Sequence, residues 1–426
     1  MTGKGHGQGA QPGAKAPQPS AAPTLRRALS LPMMVLYGLG TTIGAGIYVL
    51  IGSVGANAGM YMPVSFLLAS LMAGFTAFSF AELTARFPRS AGEALFAYQG
   101  FGRRWLALSV GLAMTGAVIV SGGAIVRGFT GYLLSLVAAP EWLVITVLIL
   151  ALGLVAVWGI LQSVLVAALL TLVEIGGLLL VIAVGAEAFG DLPARHAELL
   201  PPFDGAAWSG ILTGAILAFY AFIGFESMVN VAEEVKDVRR NLPRAIVLTL
   251  GITTLLYVSL ALIAVLLVPP AELAAQRAPL AYLFEHGVGH DTPALRLIGA
   301  LSALNGAFIE IIVAARIIYG LSAQGWLPSQ LSAVHPRTRT PLVATVLAVV
   351  ATLLFALFVP IAALAETTAL ITLAVFAIAN LALIAVKRRE PSAAGGGIVV
   401  PTWVPAAGFV ISAGFFFLEL VNRIIR

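Results

Sequence analysis

The chain has no cysteine, which excludes a disulfide framework and any thiolate metal site. Charge is scarce as well: Asp, Glu, Lys and Arg make up 10% of 426 residues, where a soluble domain carries about 25%. The five histidines, His6, His196, His286, His290 and His335, fall in the N-terminal stretch or in loops between apolar runs. No imidazole is therefore expected at membrane depth for metal ligation, haem binding or Ser–His catalysis. Neither HExxH nor GxxxxGKS/T occurs, so metalloprotease and ATP-driven chemistry lack their motifs. The formal net charge of +5 is spread over short loops and makes no nucleic-acid surface. No cofactor, metal or nucleic-acid partner is expected, and no motif points to an enzyme.

What is abundant is apolar: 60% of the residues are hydrophobic, above the roughly 45–50% of soluble domains. The chain reads as an all-α polytopic membrane protein with the lipid bilayer as its solvent. Residues 1–25 are rich in Gly, Ala, Pro and Gln and read as a disordered cytoplasmic tail. No apolar h-region follows a short basic start, so the tail is no signal peptide. Residues 26–426 read as a single transmembrane transport domain. A span needs about 20 apolar residues. On that rule helices are predicted at 31–53, 61–86, 104–137, 142–158, 162–187, 208–234, 244–268, 293–320, 341–359, 364–386 and 401–423, eleven in all.

Orientation follows from the basic residues. One side collects Lys4, Lys15, Arg26, Arg27, Arg86, Arg89, Arg103, Arg104, Lys236, Arg239, Arg240 and Arg244, then Arg337, Arg339, Lys387, Arg388 and Arg389. The other holds Arg195, Arg277, Arg296, Arg423 and Arg426. This predicts a cytoplasmic N-terminus in a plasma (inner) membrane and, with eleven helices, an external C-terminus.

Glycine interrupts the first and sixth predicted helices at their centres, at Gly40-Thr41-Thr42-Ile43-Gly44-Ala45-Gly46-Ile47 and at Phe222-Ile223-Gly224-Phe225-Glu226-Ser227. The two helices are antiparallel and five apart, as an inverted repeat of about 31–190 over about 205–390 requires, with 401–423 as an extra helix. A small-residue packing face of Gly38, Gly40, Gly44, Gly46 and Gly52 is the bland alternative for the first segment. The functional reading is a pair of broken helices. Opening a helix at mid-membrane frees backbone groups that protein or a wet cavity must satisfy. Freed N–H groups at 44–46, aided by the helix dipole, suit a carboxylate. Freed carbonyls at Thr41, Thr42 and Ile223 suit an ammonium. An α-amino acid carries both charges.

The stretches YGLGTTIGAGIYVLIG, FAELTARFPRSAGEA, FYAFIGFESMVNVAEEVKDVRRNLPRAI and RIIYGLSAQGWLP, with HPRTRTP, resemble the amino acid–polyamine–organocation (APC) permeases, nearest the cationic-amino-acid-transporter-like branch. The resemblance covers about residues 28–390. It implies a LeuT-like five-plus-five inverted repeat and secondary transport of amino acids or related amines. It also implies a carboxylate site at the Ala45 and Gly46 amides and an amino-group site at the Thr42, Tyr220 and Ile223 carbonyls. Tyr220 would close over the substrate, with Phe222 or Phe225 beside it. Ala45 departs from the pattern, since relatives often carry Ser there; that leaves backbone contacts only.

A lone charge in the bilayer costs at least about 2.5 kcal/mol, so each intramembrane carboxylate is a functional candidate. Glu174, in TLVEIGGLLL, stands where related permeases frequently carry Lys, beside the first and eighth helices. It is either a proton carrier or a neutral acid bonded to a nearby backbone break. Glu226 is either a coupling or gating acid or a cap for the freed amides. Glu310 has Arg316 six residues on, off its own helix face, and so meets another helix or water. Residues 303–321 hold no Ser or Thr, which favours proton over sodium coupling, although Glu310 can supply an oxygen. Glu82, Arg86, Glu233, Glu234, Lys236, Arg239 and Arg240 are expected to form an ion-paired cytoplasmic gate, ordinary interfacial charge being the alternative. Arg127 is expected to snorkel or pair.

The expected function is secondary active amino acid transport by alternating access, coupled to protons. An exchanger of the same fold, or a non-transporting amino-acid-binding sensor or partner subunit, is the alternative. With Glu226 as the sole acid near the predicted pocket, a neutral, apolar amino acid is the expected substrate.

Overall fold

The computed structural model describes residues 24–134, 139–276, 278–290, 294–359, 362–390 and 398–425. The predicted tail up to residue 23 and the Pro360 turn lie outside them. The described chain is helical: α1 (Leu31–Ala58), α2 (Met62–Arg86), α3 (Gly92–Phe101), α4 (Arg104–Leu134), α5 (Glu141–Trp158), α6 (Ile160–Val184), α7 (Leu192–Leu199), α8 (Gly205–Tyr220), α9 (Val238–Leu267), α10 (Pro270–Ala274), α11 (Pro279–Val288), α12 (Ala294–Ala323), α13 (Leu342–Phe358), α14 (Ala362–Arg389) and α15 (Trp403–Ile425). α8 continues after an interruption as a 3-10 helix, Phe225–Glu234.

The helices α3, α7, α10 and α11 are short connectors, and the others fall on the predicted spans. Nine segments among the described residues are long and apolar enough to cross a membrane, and Leu31–Gly44 and Leu342–Phe358 are shorter apolar helices. This is a multi-pass membrane protein. Large apolar side chains such as Leu154, Leu169, Leu354 and Phe417 stand exposed on the outside of the bundle, which costs nothing where the neighbour is a lipid tail. Proline in the first turns of α1 and α2 sets the helical φ where an amide would go unpaired. Asp204 caps α8, its Oδ2 accepting from the Ala207 amide at 3.2 Å.

Packing follows the inverted repeat: α1 lies on α8, α2 on α9 and α4 on α12, the elements that a five-helix offset makes equivalent. α15 stands outside the repeat and leans on α14 and α2. It approaches closely, since a Cβ on Gly408 would fall 2.5 Å from Asn380 Oδ1. Ahead of α1, an isolated parallel bridge joins Leu29 to Val235. There the Ala28 and Leu29 amides donate to the Glu234 carbonyl at 2.9 and 3.0 Å, and the Lys236 amide donates to the Leu29 carbonyl at 2.9 Å.

Candidate functional site

Both interruptions are present. Inside α1, Gly44 takes φ +30° and ψ −153°, which splits the helix. Nothing lies within 4 Å of where a Gly44 Cβ would be, so this break faces open space. A helix starts afresh behind it, and the amides of its first turn, Ala45 and Gly46 among them, have no intrahelical partner.

The second break is built differently. After Tyr220 four residues, 221–224, run through turns before the 3-10 helix begins. Gly224 has φ +137°, and a Cβ there would lie 2.4 Å from the Thr41 carbonyl oxygen and 2.9 Å from Thr42 Cα. The two breaks therefore touch backbone to backbone, and only glycine fits. Tyr257 of α9, fully buried, ties them together: its hydroxyl lies 3.1 Å from the Ala221 carbonyl, 3.2 Å from that of Thr42 and 3.4 Å from that of Ile43. A hydroxyl donates one hydrogen, so it serves one of these carbonyls at a time.

A cavity of about 400 Å³ opens against both breaks, bounded by Thr41, Thr42, Gly44 and Gly46 on one side and Tyr220, Ile223, Gly224 and Glu226 on the other. Three residues expected there lie elsewhere. Ile43 is fully buried in the core. Phe222 meets the Tyr257 ring edge-on at 5.1 Å. Phe225 stacks on Phe376 at 5.5 Å. Their rings wedge the unwound segment in place. The far walls were not anticipated: Met114, Val118 and Ser121 on α4, Ile309 and Glu310 on α12, and Thr372 on α14.

Glu310 corrects the expectation of a single acid at the pocket. It lines the cavity together with Glu226, and its Oε2 is buried without a hydrogen-bond partner. α12 crosses the bundle opposite the breaks and turns this residue inward, which a linear reading of its own helix does not reveal. Glu226 accepts the Gly224 amide at 2.8 Å through Oε2, so it does cap the second break while facing the cavity. Glu174 is outside the cavity. Its Oε1 accepts from Asn305 Nδ2 at 2.9 Å, and the same nitrogen lies 3.1 Å from Thr171 Oγ1. This cluster presses on α1 just before the break, where a Gly40 Cβ would fall 2.2 Å from Thr171 Oγ1.

Two broken helices thus meet at an acid-lined cavity, and the amino acid permease family profile matches residues 29–425. The chain belongs to the APC amino acid permeases. This permease is 28% identical to the branched-chain amino acid permease of Bacillus subtilis, over 87% of this chain and 83% of that one. It is 31% identical to the vacuolar cationic amino acid transporter 4 of Arabidopsis thaliana, over 86% of this chain but 64% of the plant protein. The methylthioribose transporter of Bacillus subtilis is 28% identical, over 87% and 84%. Among solved structures, a substrate-bound, outward-open Na+-coupled sialic acid symporter superposes with a TM-score of 0.56 at 10% identity, covering 93% of this chain and 90% of that one. At that identity the likeness shows the fold alone, a LeuT-like transporter fold. These are transporter families and not enzyme families.

At the basic face of the permease the expected ion-paired residues fall in two clusters, where Arg86 pairs with Glu82 as expected and Lys387 and Arg316 join from other helices. Glu82, fully buried, accepts from Lys387 Nζ of α14 at 2.8 Å, from Arg86 Nη2 at 2.7 Å and from the Val400 amide at 2.8 Å. Glu234 instead pairs with Arg316 of α12, the Nη2 to Oε1 distance being 3.0 Å. Tyr319 donates to Glu233 Oε2 at 3.1 Å. Lys236, Arg239 and Arg240 stay exposed. Arg127 pairs as expected, donating to the Val359 carbonyl at 2.7 Å, with Glu141 at 3.6 Å.

Proposed function

We propose that this permease is a secondary transporter carrying one α-amino acid with a proton by alternating access, within one transport domain spanning 26–426. The basic face is taken as cytoplasmic, in a plasma membrane. The substrate carboxylate goes to the Ala45 and Gly46 amides and the ammonium to the carbonyls around Thr42 and Ile223. The observation that carries the reading is the pair of acids, Glu226 and Glu310, lining one cavity. A zwitterion brings no net charge, and two uncompensated carboxylates in an apolar site are costly. With Glu226 held by the Gly224 amide, a proton travelling with the substrate offsets the remaining charge on Glu310.

With Ser121 and Thr372 as polar exceptions, Met114, Val118, Ile125 and Ile309 make much of the cavity wall apolar. They favour a neutral side chain on the substrate, leaving the charge to a proton on Glu310. A basic amino acid is the opposing outcome, its side chain meeting that acid. The named cargoes of the relatives, branched-chain amino acids, cationic amino acids and methylthioribose, do not choose between them. Glu174 is read as a second protonation point acting on α1 through its cluster. One observation favours sodium instead: Asn305 Oδ1 is a buried oxygen without a partner, close to the buried oxygens of Glu174 and Ser302.

Uptake of labelled alanine, leucine and arginine into proteoliposomes, under a pH gradient, a sodium gradient or neither, separates these readings. Accumulation of alanine or leucine under the pH gradient alone is expected. Glu310→Gln should cut that accumulation about a hundredfold, the lower end for losing a proton-transfer group, and leave exchange intact. Accumulation driven only by sodium, or confined to arginine, would overturn the proposal.

A further inference from the structure

Between the cavity and the basic face lies another buried acid. Glu93, in the first turn of α3, is 2% exposed. Its helix is too short to span and is held by its N-terminal end between the 3-10 helix and α12. A Cβ on Gly92 would fall 2.4 Å from Val229 Cγ2, and one on Gly320 would fall 2.6 Å from Ala91 Cβ. Asn230 Nδ2 donates to Glu93 Oε1 at 3.1 Å. Asn230 Oδ1 and the neighbouring Ser90 Oγ are buried polar atoms with no partner.

These groups form a sequence. The 3-10 helix carries Glu226 at its cavity end, Asn230 in the middle and Glu233 toward the basic face. From α3, Glu93 faces Asn230, and the Ser90 amide donates to Glu233 Oε1 at 3.3 Å. We propose that Glu93 is a proton relay: the proton passes from the Glu226 carboxyl to the Glu93 carboxylate and on to Glu233, leaving the cavity along the contact between α3 and the 3-10 helix. The relay rests on the proton-coupled reading above.

Burial pushes the Glu93 carboxyl up to about 8; the Glu226 charge adds to that rise, while its own backbone hydrogen bond and the Asn230 amide oppose it. It therefore exchanges a proton near neutral pH and is charged above that range. Several charged groups on the elements around α3 are engaged. Arg389 of α14 donates to the Gly100 carbonyl at 2.8 Å, and to that of Gln99, at the far end of α3. Arg104 of α4 donates to the Gly325 carbonyl at 2.6 Å. On α12, Arg316 is held by Glu234 and Tyr319 by Glu233.

The test compares wild type, Glu93→Gln, Glu93→Asp and Asn230→Ala in proteoliposomes, reading accumulation under a pH gradient and exchange at equal pH. Glu93→Gln should lower accumulation by about a hundredfold, the lower end for a lost proton-transfer group, with exchange kept within about twofold. Glu93→Asp should restore accumulation, and Asn230→Ala should shift its pH profile. A Glu93→Gln protein that accumulates like a pH-responsive wild type would overturn the relay alone. Equal loss of accumulation and exchange would also overturn it, by assigning Glu93 to structure. A wild type indifferent to the pH gradient would overturn the proton-coupled reading, and the relay with it.

Discussion

The two helix breaks differ in how they are held. At Gly44 one residue turns the wrong way, the helix resumes at once, and the surroundings are empty to 4 Å. At 221–224 a longer stretch unwinds, Gly224 lies against the Thr41 carbonyl, Glu226 caps its amide and two phenylalanine rings wedge it. The first is a break with room for a ligand. The second also borders the cavity, but its glycine has no room and is fixed by its neighbours. Pseudo-symmetry thus supplies two like elements, and packing holds them differently: one open at its glycine, the other locked there.

Gly224→Ala attacks the fixed side and should have the largest effect. The added carbon meets backbone rather than a movable side chain, and overpacking alone costs about 1–3 kcal/mol, with left-handed strain on top. Uptake should fall to background and the thermal midpoint in detergent should drop; near-normal uptake would mean the two backbones are free to part. Tyr257→Phe removes the tie between the breaks while keeping their packing. It removes the one donor that three buried carbonyls share, worth about 1–3 kcal/mol, so substrate affinity should weaken roughly ten- to a hundredfold. An unchanged affinity in a binding assay would show that the hydroxyl is not what aligns the breaks. Gly44→Ala tests the open side. With space around it the backbone can relax, leaving strain of about 1 kcal/mol and a roughly fivefold rise in KM with little change in melting. A loss as large as that of Gly224→Ala would erase the distinction.

Much of this was readable in advance, for physical reasons. Spans follow from hydropathy, which is local. The breaks stood out because glycine and threonine at mid-membrane have no local benefit. Glu226 could be placed because it adjoins one of them. What escaped depends on contacts between helices. Tyr257 sits in ITTLLYVSLALI, where an aromatic reads as lipid-facing or core. Asn305 lies in a segment read for its lack of hydroxyls, so its amide was passed over. The partner of Arg316, Glu234, belongs to another helix, which spacing along one helix does not reveal. Glu93 lies in a connector that hydropathy treats as loop. Glu310 was marked as a candidate, but its direction depended on how α12 crosses the bundle.

The bridge from Leu29 to Val235 has a mechanical consequence. It binds the entrance of α1 to the exit of the second broken helix through three backbone hydrogen bonds. Each contributes about 1 kcal/mol net, and side-chain substitution does not remove it. Any opening of the basic face has two courses: to swing both inner segments as a single lever, or to unfasten this joint first.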